Sequence, residues 1–135
     1  GKTFSTLGKM LDPISQDSCA FYERTAIFAD YDGVANGPDE GINIAKALGE
    51  KEFCILQNHG ILTTGSMVDT ALWYFLNMED ACKSQLLAEA VGQPKIIPHE
   101  TACATRDYVA NDLSAYVSLQ PTIDVLWEEE PDLLD

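Results

Sequence analysis

Two histidines, His59 and His99, and four cysteines, Cys19, Cys54, Cys82 and Cys103, bound the chemistry open to this chain. His59 is the informative one. It follows the apolar run Phe53-Cys54-Ile55-Leu56 and sits in a glycine-closed corner, Gln57-Asn58-His59-Gly60. An imidazole held rigidly at the end of a sheet can bind a metal through one nitrogen while a backbone carbonyl orients the other. The plain alternative is a histidine hydrogen-bonded within a turn. His99, between Pro98 and Glu100 at the start of a predicted helix, reads as exposed, with a ligand role as its alternative. No H-E-x-x-H, G-x-S-x-G, P-loop or G-x-G-x-x-G pattern is present, and the Gly33 to Gly41 segment lacks the spacing of a dinucleotide site. No two cysteines form a C-x-x-C pair, so they read as reduced, small and buried in a cytosolic compartment. Two disulfides in a secreted protein are the alternative.

The elements that must position these groups follow from periodicity. Thr3 to Met10 reads as a helical turn ended near Gly8. Leu11-Asp12-Pro13 reads as extended, because the residue before proline avoids the α region. Ser15 to Tyr22 predicts one or two helical turns, and Thr25 to Ala29 a strand. Asp32-Gly33 and Asn36-Gly37-Pro38 are turn signals. Asp39 to Gly49 predicts an amphipathic helix with Ile42, Ala45 and Leu48 on its inner face. Phe53 to Leu56, apolar without alternation, predicts a strand buried on both faces. Ile61 to Thr64 resumes strand character after the corner, in which Gly60 supplies backbone freedom. Ser66 with Asp69 resembles a capping box, and the chain is helix-forming from there to Val91, stopped by Gly92 and Pro94. Leu72, Phe75, Leu76, Met78, Cys82, Leu86 and Ala90 predict its buried face. A helix of about 25 residues runs on the order of 37 Å, long enough to pack partly against another subunit. Beyond it, Ile96-Ile97 reads as extended, Thr101 to Val109 as a helix, Ser118 to Trp127 as an apolar stretch of undetermined type, and residues 128–135 as a solvated acidic tail. Strands alternating with helices predict one layered α/β unit over residues 1–127.

Composition narrows the partners. The 135 residues hold 22 Asp and Glu against 8 Lys and Arg, a formal charge of −14. That sign argues against nucleic acid and against anionic membrane, since both are bound by concentrated Lys and Arg. No apolar run approaches the roughly 20 residues of a membrane span, and no signal-peptide layout opens the chain, so a cytoplasmic protein is expected. Gly1 in place of methionine reads as a processed or cut chain.

The stretch Ile55-Leu56-Gln57-Asn58-His59-Gly60-Ile61-Leu62-Thr63-Thr64-Gly65-Ser66, followed by a long helix with Trp73, Glu79 and Gln85-Leu86-Leu87, resembles the class II aldolase/adducin family. Leu11-Asp12-Pro13-Ile14-Ser15-Gln16-Asp17-Ser18-Cys19-Ala20-Phe21-Tyr22, Tyr31-Asp32-Gly33-Val34 and Ala90-Val91-Gly92-Gln93-Pro94 resemble it too. The likeness covers roughly residues 2 to 110.

The resemblance implies a three-layer α/β/α fold around a mixed sheet, usually in a symmetric tetramer with sites between subunits. It implies a divalent cation, commonly zinc, held by an H-x-H pair and a third histidine, with a carboxylate moving protons. The chemistry it implies is aldol cleavage, decarboxylation, epimerisation or dehydration of a small carbonyl or hydroxy substrate. His59 matches the third metal ligand by motif. Tyr22 stands by position where the family's tyrosine, reached from a neighbouring subunit, acts as a general acid; a core aromatic with one hydrogen bond is the alternative. Asp12 and Asp17 read as turn or cap residues. No H-x-H pair occurs here, and in the family that pair lies just before a segment like Gly1-Lys2-Thr3-Phe4-Ser5. The expectation is an N-terminally truncated family sheet whose zinc site is incomplete in this chain. Its open edge would be covered by a second copy or a partner chain. Two other readings remain: a metal-free member that binds or shapes an apolar substrate, and a non-catalytic, adducin-like interaction module.

Overall fold

The computed structural model describes residues 1–30 and 38–134. The turn signals at Asp32-Gly33 and Asn36-Gly37, and the Tyr31-Asp32-Gly33-Val34 segment, lie outside the described residues. In chain order the elements are α1 (Lys2–Ser5), a 3-10 turn (Ser18–Phe21), β1 (Thr25–Phe28), α2 (Pro38–Leu48), β2 (Phe53–Leu56), β3 (Gly60–Thr63), α3 (Val68–Val91), α4 (His99–Val109), α5 (Asp112–Glu129) and a short 3-10 helix (Pro131–Leu134).

Strand β2 is the centre of the fold. All four of its side chains are buried, as an apolar run without alternation requires. It pairs parallel with β1, Thr25 opposite Phe53 and Phe28 opposite Leu56, and antiparallel with β3, Phe53 opposite Thr63 and Leu56 opposite Gly60. The sheet is therefore mixed, in the order β1-β2-β3. Alternation sends Phe53 and Ile55 to one face. There the cross-strand row Ile27, Ile55 and Ile61 meets Phe21 and, from α3, Tyr74, Met78 and Cys82. Cys54 and Leu56 turn to the other face, the side left to α2, which packs on β1 and β2. The expected α/β layering is present.

Three local expectations need correction. Helix α2 leaves Ile42 and Ala45 exposed and turns Ile44 and Ala47 inward beside the expected Leu48. Helix α3 buries Thr70, Tyr74, Met78, Ala81, Cys82 and Gln85, while Leu72, Phe75 and Leu76 are exposed. That helix is apolar on more than one side, so periodicity alone does not select the inner stripe. Partners for its polar members decide. Gln85, fully buried, accepts from the Asp12 amide at 2.8 Å and donates to the Asp12 carboxylate at 2.8 Å, stitching the Leu-Asp-Pro segment to α3. Ser66 does not cap α3; Met67 occupies that position, and the Ser66 hydroxyl donates to Asp112 at the start of α5, 2.7 Å away. The undetermined stretch from Ser118 to Trp127 is helix, part of α5, which packs on α3 through Ala115 and Leu119. Its internal Pro121 reads as a breaker, because proline lacks the N–H a helix interior needs. Glu128 and Glu129 form the last turn of α5.

Arg24 ties the layers together. Its guanidinium pairs with Glu52, donates to the carbonyls of Ala20 at 3.5 Å and Ala110 at 3.4 Å, and lies over the rings of Phe53 (5.1 Å) and Tyr74 (5.4 Å). Its carbonyl accepts from both Glu52 and Phe53 at 3.2 Å. The Arg24 side chain is 18% exposed, that of Glu52 45%. Arg24→Met should therefore lower unfolding free energy by about 2 kcal/mol, through lost stacking and two stranded carbonyls. Glu52→Gln should cost less than about 1 kcal/mol, because water screens a half-exposed partner. Denaturant midpoints test the order; equal losses would mean that the ion pair, not the stacked cation, matters.

Candidate functional site

His59 sits in the three-residue connection between β2 and β3, a corner fixed by backbone bonds from three directions. The His59 amide donates to Leu56 at 2.9 Å, the Gln57 amide to the carbonyl of Phe28 at the end of β1 (2.9 Å), and the Asn58 amide to Ser5 of α1 (3.4 Å). The left-handed residue is Asn58, at φ 60°, a conformation in which asparagine is enriched. The backbone freedom expected of Gly60, at φ 157°, is thus shared with Asn58 two residues before it. The His59 side chain is exposed, and among the described residues nothing hydrogen-bonds to it. A rigid backbone holds a side chain without internal partners.

Tyr22 lies elsewhere. It precedes β1 by three residues, whereas His59 follows β2 by three, and the two strands run parallel in register. About 10 Å of sheet therefore separates them. The structure does not bring the two together within one chain. Tyr22 and Glu23 form the middle of a turn closed by the Arg24 amide donating to Phe21 at 3.1 Å. Tyr22 has φ −63° and ψ 123°, and Glu23 has φ 61°, the pattern of a type II turn, whose third position favours glycine or asparagine. A cleft of about 250 Å³ opens beside them, lined by Met10, Leu11, Pro13, Phe21, Tyr22 and Glu23 among others.

Helix α4 packs against the 3-10 turn here and brings in His99 and Cys103. The Tyr22 hydroxyl lies 3.2 Å from His99 Nδ1. Glu23 Oε1 is 3.7 Å from the same nitrogen, and Cys103 Sγ is 3.8 Å from both Nδ1 and Glu23 Oε2. Among the described residues this is the one group of three His, Cys, Asp or Glu side chains whose ligand atoms converge. All four cysteines are free, but Cys103 is only half-buried, unlike the other three. Sequence reasoning placed His99 at its helix start and passed over the signal beside it: His99 and Cys103, four apart, share one helix face. Glu23 carries no such signal.

Residues 1–86 match the family described as Class II Aldolase and Adducin N-terminal domain. The chain belongs to this family. Over 133 residues, 98% of its length, it is 37% identical to Decarboxylase NovR of Streptomyces niveus, covering 49% of that protein. It is also 37% identical to the 4-hydroxy-3-prenylphenylpyruvate oxygenase/4-hydroxy-3-prenylbenzoate synthase of Streptomyces roseochromogenus subsp. oscitans, over 98% of this chain and 48% of that one. The L-fuculose 1-phosphate aldolase structure from Glaciozyma antarctica PI12 superposes with a TM-score of 0.85 at 38% identity, over 98% of this chain and 49% of that one. The chain has the class II aldolase fold and spans about half the length of the relatives it matches. The divalent cation the family implies would find a single histidine at the His59 corner. Among the described residues no second or third ligand gathers there, so this chain's residues do not by themselves fit that metal.

Two measurements check the geometry. His59→Ala should leave the unfolding free energy unchanged to within about 0.5 kcal/mol, as for an exposed side chain with nothing to lose; a larger drop would make His59 structural. Alkylation of the native protein near pH 8 should modify Cys103 alone. Burial raises the Cys19 and Cys54 thiols and pushes Cys82 up to about 11, which keeps them protonated and unreactive. Two or more thiols labelled at matching rates would contradict the buried placement.

Proposed function

We propose that this chain supplies part of a class II aldolase-type lyase acting on a small carbonyl or hydroxy substrate. The observation that carries this reading is His59: an exposed, unpartnered imidazole on a rigidly pinned corner, in a chain of this family. At the ends of a packed sheet, a side chain held by the backbone and left free of internal bonds is available to a ligand. On this reading His59 is a metal ligand and zinc the cation, with the remaining ligands contributed from outside the described residues. Tyr22 is then the proton donor for a site in a neighbouring subunit, which its distance from its own His59 requires. The exposed row Leu72, Phe75 and Leu76 on α3 supports an oligomer. No helix among the described residues is long and apolar enough to cross a membrane.

A second reading, a metal-free member handling an apolar substrate, is supported by the prenylated aromatic compounds in the name of one relative. A non-catalytic, adducin-like module remains the third. Turnover decides among them. Aldol cleavage and decarboxylation of small hydroxy-carbonyl compounds should be measured on the wild type, on a chelator-stripped sample and on His59→Ala. The proposal expects losses on the order of 100-fold or more in both treated samples. Full activity after stripping would transfer the assignment to the metal-free reading, and no turnover in the wild type would reject both.

A further inference from the structure

We propose that Glu23, His99 and Cys103 form a binding site for a divalent cation of zinc's class, at the opposite end of the sheet from His59. Nitrogen, sulfur and carboxylate oxygen are zinc's protein donors, and in a tetrahedral site their mutual separations are about 3.4–3.6 Å. The three separations here are 3.7 Å (His99 Nδ1 to Glu23 Oε1), 3.8 Å (Cys103 Sγ to His99 Nδ1) and 3.8 Å (Cys103 Sγ to Glu23 Oε2). The two Glu23 distances belong to different oxygens; with one ligand atom from each residue the three lie within 4.8 Å of one another, so side-chain rotation must draw them together to close the set.

The group is open to solvent, with the His99 and Glu23 side chains 62% and 50% exposed, and two features mark it out from a catalytic relay or a chance contact. A Cys-His-carboxylate relay uses opposite ring nitrogens, one facing the thiol and the other the acid. Here the Tyr22 hydroxyl and the Glu23 carboxylate both approach Nδ1, and the Cys103 sulfur stands 3.8 Å from Nδ1 and 3.9 Å from Nε2, so thiol and acid are not divided between opposite ring nitrogens. Glu23 also occupies the left-handed position of its turn, at φ 61°, where glycine is at ease and a glutamate is strained. The carboxylate is held there against the preference of the backbone. His99 and Cys103 are one helical turn apart on α4, so a bound cation would clip α4 to the turn before β1. Cys103 binds as thiolate and releases its proton to solvent. Arg106 competes for the acid, its Nη1 lying 3.5 Å from Glu23 Oε2, and the Tyr22 hydroxyl, 3.2 Å from His99 Nδ1, must give way for that nitrogen to bind a cation.

Cobalt(II) titrated into the metal-stripped protein tests the site, because a thiolate ligand produces a cobalt charge-transfer absorption that a histidine site cannot. One equivalent should develop that absorption, and one equivalent of zinc should slow alkylation of Cys103 at least tenfold. Cys103→Ser should abolish the absorption, and Glu23→Gly should weaken cobalt binding at least tenfold. Glu23→Gly gives the turn its preferred residue, so its denaturation midpoint should equal or exceed that of the wild type, which separates lost binding from lost folding. His59→Ala should leave the cobalt signal intact whatever it does to turnover, so the two sites fail independently. The proposal is overturned by the absence of a thiolate band, by a band that survives Cys103→Ser or vanishes in His59→Ala, or by binding indifferent to Glu23→Gly.

Discussion

Arg24 is the constraint on which the rest of the molecule hangs. One guanidinium reaches the 3-10 turn through Ala20, the start of β2 through Glu52 and Phe53, α3 through Tyr74 and the end of α4 through Ala110. Pairing with Glu52 raises its pKa further above an already high ordinary value, so it stays charged wherever the protein folds. The same residue's amide closes the turn that carries Tyr22 and Glu23. Core assembly and the placement of the chemically interesting side chains therefore depend on one cation stacked on two rings.

The sheet then divides the chemistry between its two ends. Because β1 and β2 are parallel, whatever precedes β1 and whatever follows β2 must emerge on opposite sides. Tyr22, Glu23 and the His99–Cys103 face of α4 gather at one end, and His59 stands at the other. A chain so arranged does not unite its tyrosine and its corner histidine; only an assembly in which one copy's end faces another copy's opposite end can do so. The exposed apolar residues of α3 and the length of that helix suit such an assembly. The fully buried Gln85 and its paired bonds to Asp12 join two of the segments that resemble the family, the Leu-Asp-Pro run and the long helix: they are the two halves of one contact.

Much of the fold was legible because it was written in local terms. Four consecutive apolar residues marked β2, Gly92 and Pro94 marked the end of α3, and Asn58 to Gly60 marked the corner. What failed was orientation. Ile42 and Leu72 were placed inside on periodicity, yet α2 and α3 carry apolar residues on more than one face, and the face that packs is set by partners distant in sequence. The stretch from Ser118 to Trp127 carried no clear period, and its helix is settled by packing against α3 in spite of Pro121. His59 and Tyr22 could be named from a corner and a resemblance, whereas Glu23 and Cys103, 80 residues apart, shared no pattern at all.

The sequence by itself determined the class of the fold, the buried central strand, the pinned corner that presents His59 and the family to which the chain belongs. Each depends on residues close together in the chain, where backbone propensity and hydrophobic run length act directly. The tertiary structure alone decided which faces of α2 and α3 turn inward, that Tyr22 and His59 stand at opposite ends of the sheet, and that a left-handed glutamate meets a histidine and a cysteine from α4. Those outcomes follow from strand direction and from the satisfaction of buried polar groups such as Gln85 and Arg24. Both are properties of the assembled layers, which no window of the sequence contains.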